Sequence, residues 1–379
     1  MARPGVVAIL TRFENLTDPR IERTKQHLLL DMVAISLCAA ICGANSWVDV
    51  EKFGIAKRAW FERFLELPNG VPSHDTLGRV FARLDTAEFL LCLQNWLRSL
   101  HLSLKEQGIA IDGKTMRGSF DAASGKSALH VVSAWASGLR LSLGQVTVDG
   151  KSNEITAVPK LLELLELTGA VVTMDAMHCQ KETLAGIRAK GADYLVPVKT
   201  NQPKLHTLLA ETFLAYGEQN YQARELKQHR TMERNRGRDE ERIVYAAPPP
   251  AELQGHAEWV DVQSIVMVYR TTRRNGKLLE ETSFYLSSLP PKVKRIARYI
   301  RGHWGIENSL HWTLDVIFAE DRSRIRSGNG PEIASIFRKL ALMVLQQDTS
   351  SNGSLRGKRL QAGWNEDFLE RILCGFCGD

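Results

Sequence analysis

The chain has 379 residues, 44% of them hydrophobic and 24% charged, a composition that is typical of folded globular proteins and excludes a disordered chain. The net charge of +6 suits a polyanionic partner such as nucleic acid, although 49 basic residues against 43 acidic ones is only a modest excess. Six cysteines without the spacing of a disulfide scaffold indicate a reducing compartment. No segment has the pattern of a signal peptide or a membrane span, so we expect a cytoplasmic protein without a membrane partner.

Residues 1–105 are predicted to form an all-helical N-terminal domain, because apolar residues recur at helical spacing from position 27 onward. Within this domain, "VPSHDTLGRVFARLD" has Ser73 as a helix N-cap and carries Arg79 and Arg83 on its outward face. A basic amphipathic helix of this kind is typical of DNA-reading elements and, more commonly, of a solvated charged face.

The periodicity changes from helical to alternating after this domain. Residues 106–200 predict three strands joined as a meander, "GIAIDG", "ALHVVSAWAS" and "LRLSLGQVTVDG", followed by a helix, a strand, a helix and a strand. This order of elements predicts an α/β fold in which helices cover a mixed sheet.

Three further segments complete the predicted organisation. Residues 201–290 contain a helix and then several strands, with Asn275 and Gly276 as a hairpin turn, and so predict an antiparallel β insertion. Residues 291–346 return to helical periodicity and resume the core, and residues 347–379 form a C-terminal helical tail.

Two acidic residues follow apolar strand patterns in the predicted core. Asp112 lies in "IAIDGK" and Asp175 in "VVTMDA", and we place both at the C-terminal ends of strands. Side chains at such ends project from the sheet edge where ligands bind in open α/β sheets. A lone Asp after a strand is more often a turn former or helix cap, so the pair needs a third member.

The stretch "RGHWGIENSLHWTLDVIFAED" at 301–321 supplies that member. It is predicted to be mostly one helix, with His303, Glu307, His311 and Asp315 along one polar stripe. If the stripe faces the two aspartates, Glu307 completes a cluster whose carboxylates repel by roughly 4 kcal/mol per pair at about 4 Å. Such a cluster requires divalent cations, and ligation by carboxylates alone favours two Mg²⁺ or Mn²⁺ ions. Zinc on one helix is excluded, because positions i and i+8 are roughly 12 Å apart.

A competing motif overlaps the first aspartate. "GIAIDGKT", from Gly108 to Thr115, matches the phosphate-binding loop of nucleotide hydrolases. That loop requires a preceding strand, a flexible interior and a helix that begins at the Lys. Here the preceding residues are polar, the interior is apolar and "MRGSFDAASG" follows, so the P-loop hydrolase is kept only as an alternative.

Five motifs carry a family resemblance: "AIDGKTMRGS", "KSNEITAVPKLLELLEL", "VVTMDAMHCQKE", "ADYLVPVKTNQ" and "IRGHWGIENSLHWTLDVIFAED". Together they resemble the DDE-type bacterial insertion-sequence transposases of the H-repeat-associated (ISAs-type) family. The resemblance implies a ribonuclease-H-like core with an acidic triad at Asp112, Asp175 and Glu307, which hold two metal ions. It also implies hydrolysis at the element ends, strand transfer into target DNA, binding of the terminal inverted repeats by the helical N-terminal domain, a homodimer on DNA, and a bacterial, nucleoid-associated location.

The resemblance and the local charge pattern suggest further DNA contacts. These candidate DNA-binding residues are Lys114, Arg117, Lys199, Asn201, Gln202, Arg236, Arg238, Arg301, His303 and His311. Acidic residues follow Arg238 directly, so the arginine run also fits a solvated face of mixed charge. Trp304 and Trp312 are expected in the core rather than as base-stacking surfaces.

One departure from the wider family pattern leaves a second alternative open. Its members place Tyr, Arg and Lys around the catalytic Glu, whereas this chain has Ile300, His303 and Leu314 at those offsets. Because a His is mostly neutral at pH 7, its phosphate contact is expected to be weaker or pH dependent. The alternative is a transposase-derived protein that binds DNA without cutting it.

Overall fold

A computed structural model of the chain describes residues 9–100, 102–121, 125–148, 154–235, 238–253, 258–274 and 277–377. The predicted helical N-terminal region is confirmed, and its helices are α1 Leu29–Cys42, α2 Trp47–Ala56, α3 Arg58–Phe61, α4 His74–Phe81 and α5 Thr86–Ser99. Helix α4 begins as predicted, since the Ser73 hydroxyl accepts a hydrogen bond from the backbone N–H of Thr76. Arg79 on this helix and Arg83, two residues beyond its end, are exposed.

Nine strands form one continuous sheet in the order β3-β2-β1-β4-β5-β9-β8-β7-β6. The strands are β1 Gly108–Met116, β2 Leu129–Ala136, β3 Leu141–Val148, β4 Val171–Thr173, β5 Asp193–Val198, β6 Lys227–Asn235, β7 Arg238–Ala247, β8 Ser264–Arg274 and β9 Lys277–Ser287. Strands β1, β4 and β5 are parallel, and the other neighbours are antiparallel. The predicted ribonuclease-H-like mixed sheet with flanking helices is therefore confirmed.

Helices cover both faces of the central parallel strands. The remaining helices are α6 Glu154–Leu164, α7 Lys181–Ala189, α8 Pro203–Glu218, α9 Val293–His303, α10 Trp312–Val316, α11 Gly330–Gln347, α12 Leu355–Trp364 and α13 Glu366–Cys377. Val171 and Leu195 pack towards α9, whereas Val172 and Val196 pack into the larger core on the opposite face. Burial on both faces explains why these strands are uninterrupted apolar runs.

Helix α11 joins the N-terminal helices to the sheet. It contacts α1, α4, α5 and β3, and it is buried along almost its whole length. Its Phe337 ring lies edge-on to Phe81 of α4 and Phe89 of α5, with ring centroids 5.5 and 5.3 Å apart. The helical N-terminal region and the sheet therefore share one hydrophobic core.

The predicted β insertion exists and extends the core sheet. Strand β9 pairs with β5, so β6 to β9 continue the hydrogen-bonded ladder of the core. The predicted domain divisions at 105, 200, 290 and 346 stay predictions. The predicted turn residues Asn275 and Gly276 lie outside the described residues.

One local prediction was wrong and another was incomplete. Asp112 was placed at the end of a strand, but β1 continues to Met116 because its second half pairs with β2 as far as Leu129. Residues 301–321 were predicted as mostly one helix, and the backbone does stay helical as far as Val316, but a π-helical segment at Ile306–His311 separates α9 from α10. The strand through Gly108–Met116 also removes the flexible loop that a P-loop requires.

No single helix in the described part of the chain is long and apolar enough to cross a membrane. Helices α1 and α2 reach the required length and composition only as a pair, and they are bent by 97° relative to each other.

Replacing Phe337 with Ala is expected to lower the free energy of unfolding by about 3–5 kcal/mol, because it leaves a cavity between the N-terminal helices and the sheet. The matched control is Leu91→Ala on the exposed face of α5, which should change stability by less than about 0.5 kcal/mol. Denaturant unfolding monitored by circular dichroism measures both. Equal effects of the two variants would show that the N-terminal helices are not held through α11.

Candidate active site

The strand β1 presents the first predicted catalytic residue. Asp112 lies opposite Ser133 of β2, and its side chain is largely buried. The Nδ1 atom of His311 lies 3.4 Å from one Asp112 carboxylate oxygen, so the π-helical segment touches the carboxylate directly. Burial lowers the pKa of His311 to about 3, helped by the nearby cations Lys339 and Lys114, and this imidazole is therefore neutral.

The second residue, Asp175, lies two positions beyond the end of β4. It precedes a short 3₁₀ turn at Ala176–His178, and its side chain is 63% exposed. His303 at the end of α9 points towards it, with Nε2 3.9 Å from the carboxylate and Nδ1 3.0 Å from the Thr173 hydroxyl. Burial lowers the pKa of His303, so this side chain contributes shape and hydrogen bonding rather than charge.

Glu307 is the second residue of the π-helical segment Ile306–His311, which packs against β1. Ile306 and Leu310 are fully buried and anchor the segment, whereas Glu307 is exposed at its surface. The wider turn of a π-helix changes the direction of the side chains that follow it, and such turns are frequent at functional sites. His303 lies beside Asp175 and His311 beside Asp112. The position of Glu307 in the predicted stripe stays a prediction.

The three carboxylates interact electrostatically. The pKa of Asp112 is raised to about 7, chiefly by burial, then by the charge of Asp175, with smaller contributions from Glu307 and Glu154. The pKa of Glu307 is raised by burial and by Asp175. Asp175, in the turn after a strand, is therefore close enough to oppose the ionisation of Asp112 on β1 and of Glu307 in the helical segment.

These residues match the chemistry of a magnesium site. Mg²⁺ prefers carboxylate oxygens, and a carboxyl group that retains its proton near pH 7 beside two other acids lacks a compensating cation. Across the described residues, no three His, Cys, Asp or Glu side chains already stand at ligating distance around a common point. The fit therefore rests on the donor set and on the uncompensated charge.

Lys114 forms ion pairs that the sequence analysis did not predict. Its Nζ lies 2.7 Å from Asp315, 2.8 Å from Glu320 and 3.5 Å from Asp321, and the side chain is only 11% exposed. These acids follow Glu307 along the chain, so Lys114 fastens the strand of Asp112 to the segment of Glu307. The predicted phosphate contact by Lys114 stays a prediction, and this pairing opposes it.

The sequence analysis also missed Glu154, at the start of α6. Its carboxylate oxygens lie 2.6 Å from Nε2 of His130 and 3.3 Å from Nε2 of His178. His130 is on β2, which pairs with the strand of Asp112, and His178 ends the turn that follows Asp175. Glu154 therefore links β2 to the turn after Asp175. A Cβ atom on Gly113 would lie 2.4 Å from a Glu154 carboxylate oxygen, so a larger residue there would displace this side chain. The motif "KSNEITAVPK" was noted only as part of the resemblance.

The predicted contacts in the loop after β5 are mainly internal. The Asn201 side-chain amide donates to the carbonyl of Ala176 at 2.8 Å, and that of Gln202 donates to the carbonyl of Cys179 at 2.9 Å. Both amides therefore hold the turn that follows Asp175. Lys199 is exposed beside them.

The predicted arginines differ in their freedom to bind DNA. Arg117 is 84% exposed, and among the described residues its guanidinium group has one ion-pair partner, an Asp321 oxygen 3.7 Å away. Arg238 pairs with Glu240 and Arg301 with Glu233. Arg236 lies outside the described residues.

The two tryptophans of this region were wrongly assigned to the core. Trp304 is 46% exposed and Trp312 is 55% exposed, one on either side of the π-helical segment. Both rings therefore lie partly at the surface.

Comparisons with known proteins identify the family of this chain. Residues 103–344 match the family described as transposase DDE domain, and residues 10–97 match the region described as DDE_Tnp_1-associated. The chain therefore belongs to the DDE transposases, and the predicted enzyme class is confirmed.

The relatives narrow the family to the H-repeat-associated insertion-sequence transposases. The chain is 37% identical to "Putative transposase YncI" of Escherichia coli O157:H7, over 97% of this chain and 95% of that protein. It is 36% identical to "H repeat-associated putative transposase YhhI" of Escherichia coli K12, over 92% and 93% respectively. A structural match to a piggyBac transposase synaptic complex with hairpin DNA covers 98% of this chain and 81% of the other, at 10% identity and a TM-score of 0.44.

Replacing Lys114 with Met is expected to lower the free energy of unfolding by about 3 kcal/mol, because it leaves the buried Glu320 without its nearest cation. Burial alone would raise the pKa of Glu320, but Lys114, Arg338 and Lys339 hold it below its usual 4.5. The stabilisation is therefore present above pH 4.5 and is lost as the pH falls through the lower folded-state pKa.

Denaturant unfolding at pH 7 measures the loss of stability in Lys114→Met. Below pH 4 the difference in stability between this variant and the wild type should be smaller. Arg117→Met at the exposed rim is the control and should change stability by less than about 0.5 kcal/mol. If Lys114→Met leaves stability unchanged but weakens DNA binding, the result would support the predicted contact of Lys114 with DNA phosphate instead.

Proposed function

We propose that this protein cuts DNA at the ends of its own insertion sequence and joins the freed 3′ ends to target DNA, with Asp112, Asp175 and Glu307 as the catalytic acids. The observation that carries the proposal is geometric: Asp112 and Asp175 lie two residues beyond the paired residues Ala110 and Thr173 of neighbouring parallel strands, and the segment of Glu307 packs against β1. The charges of Asp175 and Glu307 raise the pKa of Asp112 accordingly. Family membership supplies the reaction class. No feature of the described residues favours nucleotide hydrolysis, since β1 replaces the phosphate-binding loop.

We further propose that the same three residues hold two Mg²⁺ or Mn²⁺ ions. When bound, such a pair of ions activates a water or 3′-hydroxyl nucleophile and stabilises the leaving oxygen of the phosphodiester. Asp112, which retains its proton to about pH 7, gives up that proton to accept a cation. The neutral imidazole of His311 lies next to Asp112. That of His303 lies near Asp175 and is hydrogen-bonded to the Thr173 hydroxyl. Both imidazoles therefore restrict the orientations of these carboxylates.

The substrate is proposed to be the terminal inverted repeats of the element together with target DNA. Arg117 and Lys199 are exposed near the aspartates and are our candidates for phosphate contact, with Arg79 and Arg83 of the N-terminal region as a second set. Because an element has two ends, we propose a homodimer with one copy at each end. The proposed location is the bacterial cytoplasm, on the nucleoid.

Cleavage of a duplex that carries the element's own ends, in the presence of Mg²⁺, tests the function. Asp112→Asn is expected to reduce the nicking rate by roughly 10³-fold, corresponding to about 4 kcal/mol of lost transition-state stabilisation. Glu163→Gln on the exposed face of α6 removes the same charge away from the site and should leave the rate unchanged. A rate unaffected by Asp112→Asn would remove Asp112 from the triad.

Thermal unfolding tests the cation site without any assay of activity. The folded-state pKa of Asp112, about 7, lies above its ordinary 3.8, so in EDTA its contribution to stability falls as pH rises from about 4 to 7. Asp112→Asn should remove this penalty and raise stability at pH 8 by at most ~4 kcal/mol.

In Mg²⁺ the wild type should instead be more stable than Asp112→Asn, because the ion binds the folded wild-type protein and stabilises it by mass action. We expect the melting temperature at pH 8 to rise with Mg²⁺ for the wild type and for Glu163→Gln, and much less for Asp112→Asn. An equal rise in all three proteins would place the cation elsewhere.

A further inference from the structure

A groove of about 780 Å³ separates the β insertion from the segment that carries Glu307. Five arginines line it: Arg238, Arg242, Arg270, Arg274 and Arg301. Glu233 and Glu240 are the acidic residues of the lining, which leaves an excess of three positive charges. Trp304 stands at the end nearest Glu307, where its half-exposed ring forms part of the wall.

The register of the insertion places like charges directly opposite one another. Arg242 of β7 faces Arg270 of β8, and four residues along the same strands Arg238 faces Arg274. Directly opposed like charges destabilise a sheet. Positions separated by an even number of residues share a face, so all four guanidinium groups project into the same groove, with the two pairs about 13 Å apart along the strands.

Acidic neighbours offset only part of this charge. Glu240 lies between the two pairs on β7 and contacts both Arg238 and Arg242, while Glu281 pairs with Arg270. Within the described part of the chain, no ion pair engages Arg274. The opposite face of the same strands has a different character, because Arg234 there forms a two-point ion pair with Asp239.

We propose that this arginine groove holds the phosphodiester backbone of one DNA strand beside Glu307, and that Glu240 competes with the phosphates for Arg238 and Arg242. Guanidinium groups bind phosphate oxygens at two points, and two pairs set about 13 Å apart span more than one phosphate. A linear polyanion thus fits the groove better than a mononucleotide does. The inference rests on the proposed function for its choice of DNA as the polyanion.

Two pairs of neighbouring residues give matched variants of opposite sign. Arg274 faces the groove and Arg273, adjacent on β8, faces the other side of the sheet. Glu240 lies in the groove between the arginines, whereas Glu241 pairs with Arg230 on the other face. Each pair changes the same charge in the same strand.

The experiment measures binding of a fluorescein-labelled 30-base-pair duplex by fluorescence anisotropy at several salt concentrations. Arg274→Ala should weaken binding about tenfold and reduce the salt slope by about 1, and Arg273→Ala should have little effect. Glu240→Gln should tighten binding several-fold, and Glu241→Gln should not. Equal effects within either pair would overturn the groove assignment, as would displacement of the duplex by excess ATP, which would identify a mononucleotide pocket.

Melting temperatures confirm that each variant is folded, and Arg274→Lys, which keeps the charge, should retain most of the binding. Nicking by wild type and Asp112→Asn in parallel separates the two proposals. Intact metal-dependent nicking with indistinguishable binding by Arg274→Ala and Arg273→Ala rejects the groove and leaves the function standing. Nicking that survives Asp112→Asn rejects the catalytic assignment and leaves the groove to be judged by its own variants.

Discussion

The repulsion among Asp112, Asp175 and Glu307 is the constraint to which the surrounding structure responds. Three carboxylates can stay close only if their backbones are fixed by something other than the carboxylates themselves. Here Asp112 is fixed inside a nine-stranded sheet, and Glu307 is fixed by the buried Ile306 and Leu310. Lys114 pairs with Asp315, Glu320 and Asp321 rather than with the three acids. The ion pairs of Lys114 therefore do not neutralise the three acids.

The topology explains how residues so far apart in sequence meet. Strands β1 and β4 are parallel neighbours in which Ala110 pairs with Thr173. Asp112 and Asp175, each two residues further along, therefore lie at the same level of the sheet. Helix α9 crosses β1, β4 and β5 on one face and leads directly into the π-helical segment. Glu154 ties the same edge together through His130 and His178 on the opposite side. Each aspartate is thus supported by partners on more than one element.

Periodicity was sufficient to predict the elements whose burial is decided locally. The strands around Val171 and Leu195 are apolar on both faces, and the N-terminal helices bury regular stripes, so their type follows from the sequence alone. The end of β1 was not predictable in this way, because "GKTM" has no strand pattern and is extended only through its pairing with β2. The roles of Lys114 and Glu154 depend on partners that are 206 and 24 residues away, and the sequence contains no local indication of them.

The opposed arginines of the β insertion also could not be predicted from the sequence alone. Its sequence predicted strands with mixed charge, and the opposition of Arg242 to Arg270 became visible only from the register between β7 and β8. Because β9 pairs with β5, the arginine groove belongs to the same hydrogen-bonded sheet as Asp112 rather than to a separately hinged domain. Helix α9 contacts β6 and β7, and its Arg301 pairs with Glu233 of β6 immediately before the segment that carries Glu307. A strand held in the groove would therefore be positioned relative to Glu307 by the shared sheet and by α9, which contacts the insertion and leads into the segment of Glu307.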